Sequence, residues 1–313
     1  MELKRLKSIV KNKLLTELYI ELNSEYKNSI FLAGTGRSGT TWVSSIINYN
    51  NEYRYIFEPF YSDKVSTVRN FRYRQYLRPD NQAKEFILPT RDILSGKVRS
   101  NWTDRFNKRF ISTKRLIKDI RANFLLSWIH NNFPSVPIIL LLRHPCAVIN
   151  SHLKLGWDNH LEELLDQAEL IEDFLEPFKQ KILEAQTDFE KQIFLWCIEN
   201  YVPLKQFKRG EIHLAFYENF CECPKDEIER LFSFIGKKFD ETIFLNLSKP
   251  SSMSRKESAV ITGDSIVDSW RKHVTDEQLQ RAIEIMSYFG LDKIYSKDAM
   301  PDAAGAYDLM RVS

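Results

Sequence analysis

The chain has 313 residues, 43% of them hydrophobic, and its 45 basic and 42 acidic side chains leave a formal charge of +3. That length can bury one large core without a second complete domain, and charges so nearly balanced give no reason to expect a nucleic-acid partner. Four cysteines, Cys146, Cys197, Cys221 and Cys223, show neither a disulfide framework nor a zinc-ligand spacing, so they read as reduced thiols of a cytoplasmic protein.

Met1 to Glu21 alternates lysines with apolar residues at helical spacing, which predicts an N-terminal helix within 1–28. Such a helix either packs on its own domain or rests on an anionic surface. It contains no uninterrupted apolar stretch long enough for a signal peptide or a membrane span, so no transmembrane segment is expected.

Ile30 to Ala33 is an apolar strand that runs into Gly34-Thr35-Gly36-Arg37-Ser38-Gly39-Thr40-Thr41-Trp42 and then a helical pattern. Closely spaced glycines let backbone N–H groups approach an anion, and the following helix adds the positive end of its dipole. Gly34 and Gly39 have the spacing of a Walker A loop, but Thr40 stands where its lysine belongs, and the cation has moved to Arg37. An ATPase, GTPase or nucleotide kinase needs that lysine together with magnesium. Gly36 to Trp42 resembles instead the 5'-phosphosulfate loop of sulfotransferases that use 3'-phosphoadenosine-5'-phosphosulfate (PAPS). The resemblance implies that Gly36, Arg37, Ser38, Gly39, Thr40 and Thr41 hold the 5'-phosphosulfate. Trp42 then either stacks near the adenine or packs the first helix into the core.

Tyr53 to Phe57 is the second strand, and Glu58-Pro59-Phe60 follows it. Ile56 to Phe60 resembles the Phe-Glu-Pro element of carbohydrate sulfotransferases, which implies Glu58 as the catalytic base and a saccharide acceptor. Ligands bind at the carboxyl ends of parallel strands, and an apolar rim there is expected to raise the Glu58 pKa towards useful base strength. The other reading of Glu58 is a helix cap or an ion pair with a nearby arginine. Segment 61–112 reads as a helical, acceptor-side region. Its twelve Lys or Arg against five acids suit either an anionic acceptor or a solvated face.

Arg115 to Ile117 is the third strand. Many cytosolic sulfotransferases place a catalytic histidine after a lysine at this strand end, whereas this chain reads Lys118-Asp119-Ile120-Arg121. The resemblance implies Lys118 as an electrophilic helper, the alternative being a surface or substrate-binding lysine, with Asp119 as a second, weaker candidate base. Pro137 to Leu142 is an unbroken apolar run of the kind a parallel strand buried on both faces needs, and Arg143-His144-Pro145 ends it. In the family an arginine at such a strand end and a serine eight residues later bind the donor's 3'-phosphate; here they are Arg143 and Ser151. Arginine grips a phosphate through two parallel N–H bonds, and the serine adds a hydroxyl. His144 and His152 read as structural residues or minor ligands.

Segment 152–190 is a second helical, acceptor-side region, followed by helices over Lys191 to Leu204 and Lys225 to Ile235 around a strand at Ile212 to Phe216. The alternation predicts one α/β domain over 1–313, P-loop-like, with a mostly parallel sheet flanked by helices in three layers. Ser254-Arg255-Lys256 ahead of Ser269-Trp270 resembles the late loop in which a basic pair, here Arg255 and Lys256, reaches the 3'-phosphate, although Glu257 stands where the family has glycine. The resemblance implies sulfuryl transfer from PAPS to a hydroxyl of a saccharide or other small molecule by in-line displacement, leaving 3'-phosphoadenosine 5'-phosphate (PAP). A metal is not obligatory, since the migrating group is less negative than a phosphoryl group. The alternatives are a non-catalytic phosphonucleotide-binding protein or a P-loop-type kinase. Oligomeric state stays open.

Overall fold

The computed structural model describes residues 18–247 and 267–311. At its centre lie β1 (Ser29–Gly34), β2 (Arg54–Phe57), β3 (Arg115–Asp119), β4 (Ile138–Leu142) and β5 (His213–Phe216). They form one sheet in the spatial order β2-β3-β1-β4-β5, every pairing parallel. All five strands coincide with runs expected from the sequence.

Because successive side chains point to opposite faces, Phe31, Ala33, Ile56, Ile117, Ile138 and Leu140 enter one core, and Leu32, Tyr55, Phe57, Leu116, Ile139 and Leu141 enter the other. Both faces are therefore covered, as an all-parallel sheet requires. The longer helices are α1 (Thr40–Ile47), α2 (Lys84–Leu94), α3 (Pro145–Leu155), α4 (Asp188–Gln206), α5 (Pro224–Phe234) and α6 (Asp276–Tyr288). α1 and α5 cover the second face through Val43, Ile46, Ile47, Ile228, Leu231 and Phe232. α3, α4 and α6 cover the first through residues such as Val148, Phe194 and Ile285. The α/β, three-layer architecture is the one the sequence predicted. No described helix is long and apolar enough to cross a membrane.

The chain leaves central β1 towards β2, and leaves β4 in the opposite direction towards β5. Connections that diverge in this way open a crevice at the carboxyl ends of the two neighbouring strands, where open α/β sheets bind ligands. Gly34 pairs with Leu141 at that point, and Ala33 with Asp119 on the other side of β1. The candidate site residues thus follow β1, β2, β3 and β4 at one edge of the sheet.

Two expectations need correction. The predicted helix does not continue through 18–28: Ile20–Glu21 pairs in parallel with Ile111–Ser112, and Tyr26–Asn28 is one 3-10 turn. The reason is Arg115, fully buried, whose guanidinium donates to the Glu21 carboxylate at 2.9 Å and to the Asn23 and Glu25 carbonyls, holding the backbone extended. Residues 1–17 lie outside the described residues. Segment 61–112 is helical only at Ser66–Val68 and in α2, with turns elsewhere, because Pro79, Asn81 and Gly96 break the helical run. Segment 152–190 is helical in short pieces and packs on it: Gln167 Oε1 accepts from Tyr76 N at 2.8 Å, and Arg78 pairs with Glu172 at 2.6 Å and Asp173 at 2.8 Å. Part of the positive charge in 61–112 is met within the chain.

Candidate active site

The β1–α1 loop is bent so tightly that its glycines are required. A Cβ on Gly34 would stand 2.5 Å from the Leu141 carbonyl oxygen, and one on Gly39, which has φ 98, would run into the Tyr217 ring. Arg37 also adopts a left-handed φ of 69. Helix α1 then starts at Thr40 with the first-turn N–H groups that any helix leaves without intrahelical partners. Ser38 Oγ is buried with no hydrogen-bond partner among the described residues. A bound anion's oxygen would satisfy that hydroxyl, and the loop fits a phosphate for this reason.

The β4–α3 corner closes on the same loop. Arg37 Nε donates to Ser151 Oγ at 2.9 Å, and Arg143 donates to the Arg37 carbonyl oxygen at 3.2 Å while its guanidinium lies 3.9 Å over the Tyr217 ring. His152 Nε2 sits 2.8 Å from the Gly36 carbonyl oxygen. Arg143, Ser151 and the loop, expected to grip opposite ends of one ligand, are thus in direct contact. Arg37 differs from the expectation in one respect: its side chain turns to Ser151 on α3. The half-buried Trp42 packs on Tyr217 and Phe220, with ring centroids at 5.3 and 6.1 Å, and its buried Nε1 has no partner among the described residues. His144 is structural. It is buried, stacks on Trp270 at 4.2 Å and accepts from Cys146 N, and burial pushes its pKa down to about 4.

On the other side of β1, Glu58 leaves β2 with a positive φ of 44 and is 5% exposed. Its backbone N–H continues the ladder to the Lys118 carbonyl oxygen at 2.7 Å, and its own carbonyl accepts from Trp102 Nε1 at 3.1 Å. Lys118 Nζ lies 2.6 Å from Glu58 Oε1, and Arg121 donates to Oε2 at 2.7 Å. The expected rise of the Glu58 pKa is corrected here. Burial does push it up, but the Lys118 and Arg121 cations outweigh burial and hold the carboxyl below its usual range. Asp119 is the carboxyl that rises: complete burial lifts it to about 6, although it accepts from Phe60 N at 2.8 Å and Arg121 N at 2.7 Å. Those two bonds brace the turn that carries Glu58. Lys118 lies under the site at 3% exposure, which corrects the surface-lysine alternative.

The sulfotransferase-domain model matches residues 27–294. The chain belongs to the sulfotransferase family. It is 23% identical over 277 residues to the nodulation protein NoeE of Sinorhizobium fredii; the match covers 82% of this chain, which spans 63% of that relative's length. Among solved structures it is similar to the sulfotransferase domain of the Synechococcus PCC 7002 olefin synthase, at 17% identity, 85% and 95% coverage of the two chains and a TM-score of 0.48. It is also similar to a mouse sulfotransferase complexed with PAP, at 13% identity, 87% coverage of each chain and a TM-score of 0.42.

In this sulfotransferase-family chain, Arg255 and Lys256 lie outside the described residues. The contacts of three residues around the site were not foreseen from the sequence. Arg121 was passed over, although a basic residue three places after Lys118 was a visible signal. Tyr217, given no role from the sequence, forms the wall that restricts Gly39 and lies under the Arg143 guanidinium. His152, read as structural or a minor ligand, makes its contact with the loop backbone, and no spacing in the sequence announces a side chain that reaches a carbonyl 116 residues away.

Proposed function

We propose that the chain transfers a sulfuryl group from PAPS to a hydroxyl of a saccharide or similar small molecule. The observation that carries this reading is the contact of Arg37 with both Ser151 and Arg143 at the β1–α1 loop, with Glu58 and Lys118 across β1. The end of β4 that leads to Arg143 and the β1–α1 loop are neighbours in the sheet, so the two charged ends of one nucleotide would be met side by side in the same crevice. Arg143, Ser151 and Arg37 would hold the 3'-phosphate side. The loop N–H groups, Ser38, Thr40 and Thr41 would hold the 5'-phosphosulfate and stabilise charge on the departing phosphate.

Glu58, ionised at neutral pH, would accept the acceptor's proton late in the transfer, when the attacking hydroxyl has become acidic enough for a weak base. Lys118, bonded to Glu58 Oε1, would shift towards the sulfonate and free that oxygen, with Arg121 staying on Oε2. The rim beyond Glu58 is aromatic and cationic: Arg121 lies 3.9 Å over Tyr61, which meets Trp102 at 5.4 Å, and Tyr73 meets His160 at 4.6 Å. Half-exposed tyrosine and tryptophan faces with polar edges suit a sugar ring better than a wholly apolar acceptor would require. The unpaired cysteines accord with a cytoplasmic setting.

Two measurements test the reading. Calorimetry should show PAP bound more tightly than AMP, and purified protein given PAPS and a panel of saccharides should yield sulfated product. Equal affinity for the two nucleotides would remove the donor assignment. Tight PAP binding with no product from any acceptor would favour a phosphonucleotide-binding protein without catalysis.

A further inference from the structure

We propose that His152 is a positioning residue whose doubly protonated form ties the donor loop to helix α3, so that binding of the donor nucleotide draws a proton onto its ring. The inference rests on the donor reading above.

Both ring nitrogens face acceptors. Nε2 lies 2.8 Å from the Gly36 carbonyl oxygen, and Nδ1 lies 2.9 Å from Gln192 Oε1. The Gln192 amide cannot be turned round to donate to the ring, because its Nε2 already donates to the Trp157 carbonyl oxygen at 2.8 Å, and reversing it would set two oxygens against each other. A neutral imidazole has one N–H and one lone pair. In either tautomer, therefore, one of the two short contacts is a lone pair against an oxygen. Only the imidazolium makes both hydrogen bonds.

The ring is 1% exposed and packs on the Trp157 ring at 4.9 Å, so no water offers an easy substitute. The charged groups that bear on it are Glu199 on α4 and Arg74 of segment 61–112, which are ion-paired to each other, and Arg37 of the loop, which reaches the adjacent Ser151. With Glu199 and Arg74 offsetting one another, the phosphates of the donor are the negative charge that changes on binding. In the free protein burial outweighs the two hydrogen bonds and holds His152 below its usual pKa. The ring is then mostly neutral near pH 7, and one contact at the Gly36 carbonyl or at Gln192 is repulsive. Anionic phosphates close by raise the pKa. Between the free and bound values, binding takes up a proton, and affinity falls as pH rises through that window.

The probe is PAP, titrated by calorimetry at pH 6, 7 and 8 in two buffers of different ionisation enthalpy, on wild type and on His152→Gln. Glutamine keeps a donor for the Gly36 carbonyl but cannot take a charge. PAP's own phosphates also titrate, so the difference between the two proteins is what counts. Wild type should take up more protons than the variant, and its affinity should weaken up to about tenfold more between pH 6 and 8, the change that one unit of pKa displacement produces. Should the variant fail to fold, the His152 Cε1–H resonance of wild type, titrated with and without PAP, reads the same quantity. An upward displacement with PAP supports the proposal. Equal proton counts in the two proteins, or an unmoved resonance, overturn it. No PAP binding to wild type at any pH would take down the donor reading as well.

Discussion

Glu58 carries two cations on one carboxylate, Lys118 at 2.6 Å and Arg121 at 2.7 Å, and that arrangement makes its chemistry testable. Glu58→Gln should lower kcat by roughly 10²–10⁴-fold, the usual worth of a general base, while PAP affinity measured by calorimetry stays within about twofold. A variant with full activity would eliminate Glu58 as the base. The pH profile separates it from its neighbour. With Glu58 held below the ordinary carboxylate range and Asp119 raised to about 6, kcat at saturating donor should stay level as pH falls through 6 and decline only below the ordinary carboxylate range. An acid limb centred near 6 would transfer the role to Asp119. Arg143→Ala should weaken PAP binding by about 10–100-fold, the loss expected for a hydrogen bond to a charged group, and unchanged affinity would refute its assigned contact.

The β1–α1 loop and helix α1 act as one element, because Gly39 both caps the helix in a left-handed conformation and lies against Tyr217. Gly39→Ala should displace the helix start, cost about 1–2 kcal/mol from the backbone conformation and more from the ring contact, and abolish PAP binding in calorimetry. A variant that keeps wild-type stability and affinity would mean that the loop tolerates a side chain there. Helix α4 begins with a capping box, Thr187 accepting from Glu190 N and the Glu190 carboxylate from Thr187 N. Its removal by Thr187→Ala should cost about 1 kcal/mol in urea unfolding without touching activity. The loop and the strands were readable in advance, whereas α4 begins three residues before the expected Lys191. The strands showed as apolar runs and the loop as glycine chemistry, each set by residues within a few places of one another. The irregular course of 61–112 was legible only as the local breakers Pro79, Asn81 and Gly96, since the turn at Tyr76 is held by Gln167 and Asp173, more than ninety residues on.

Across the molecule, the end of the sheet opposite the site is anchored by two buried arginines. Arg115 joins Ser29, Leu94 and the 21–25 segment to the start of β3, and Arg54 pairs with Asp104 at 2.9 Å. Arg115→Ala leaves the Glu21 carboxylate buried without its main partner, so it should destabilise the fold by about 3–5 kcal/mol in chemical denaturation; a loss below 1 kcal/mol would show the anchor to be dispensable. The strands themselves, the phosphate loop and the family resemblance follow from residues close together along the chain, because apolar runs, turn chemistry and helix starts are local properties. The ionisation of Glu58, the reach of Arg37 to Ser151 and the double contact of His152 join residues 40 to 116 positions apart. Charge and proton affinity depend on what folding brings within a few ångströms, and for these side chains that is set by how the strands are ordered in the sheet.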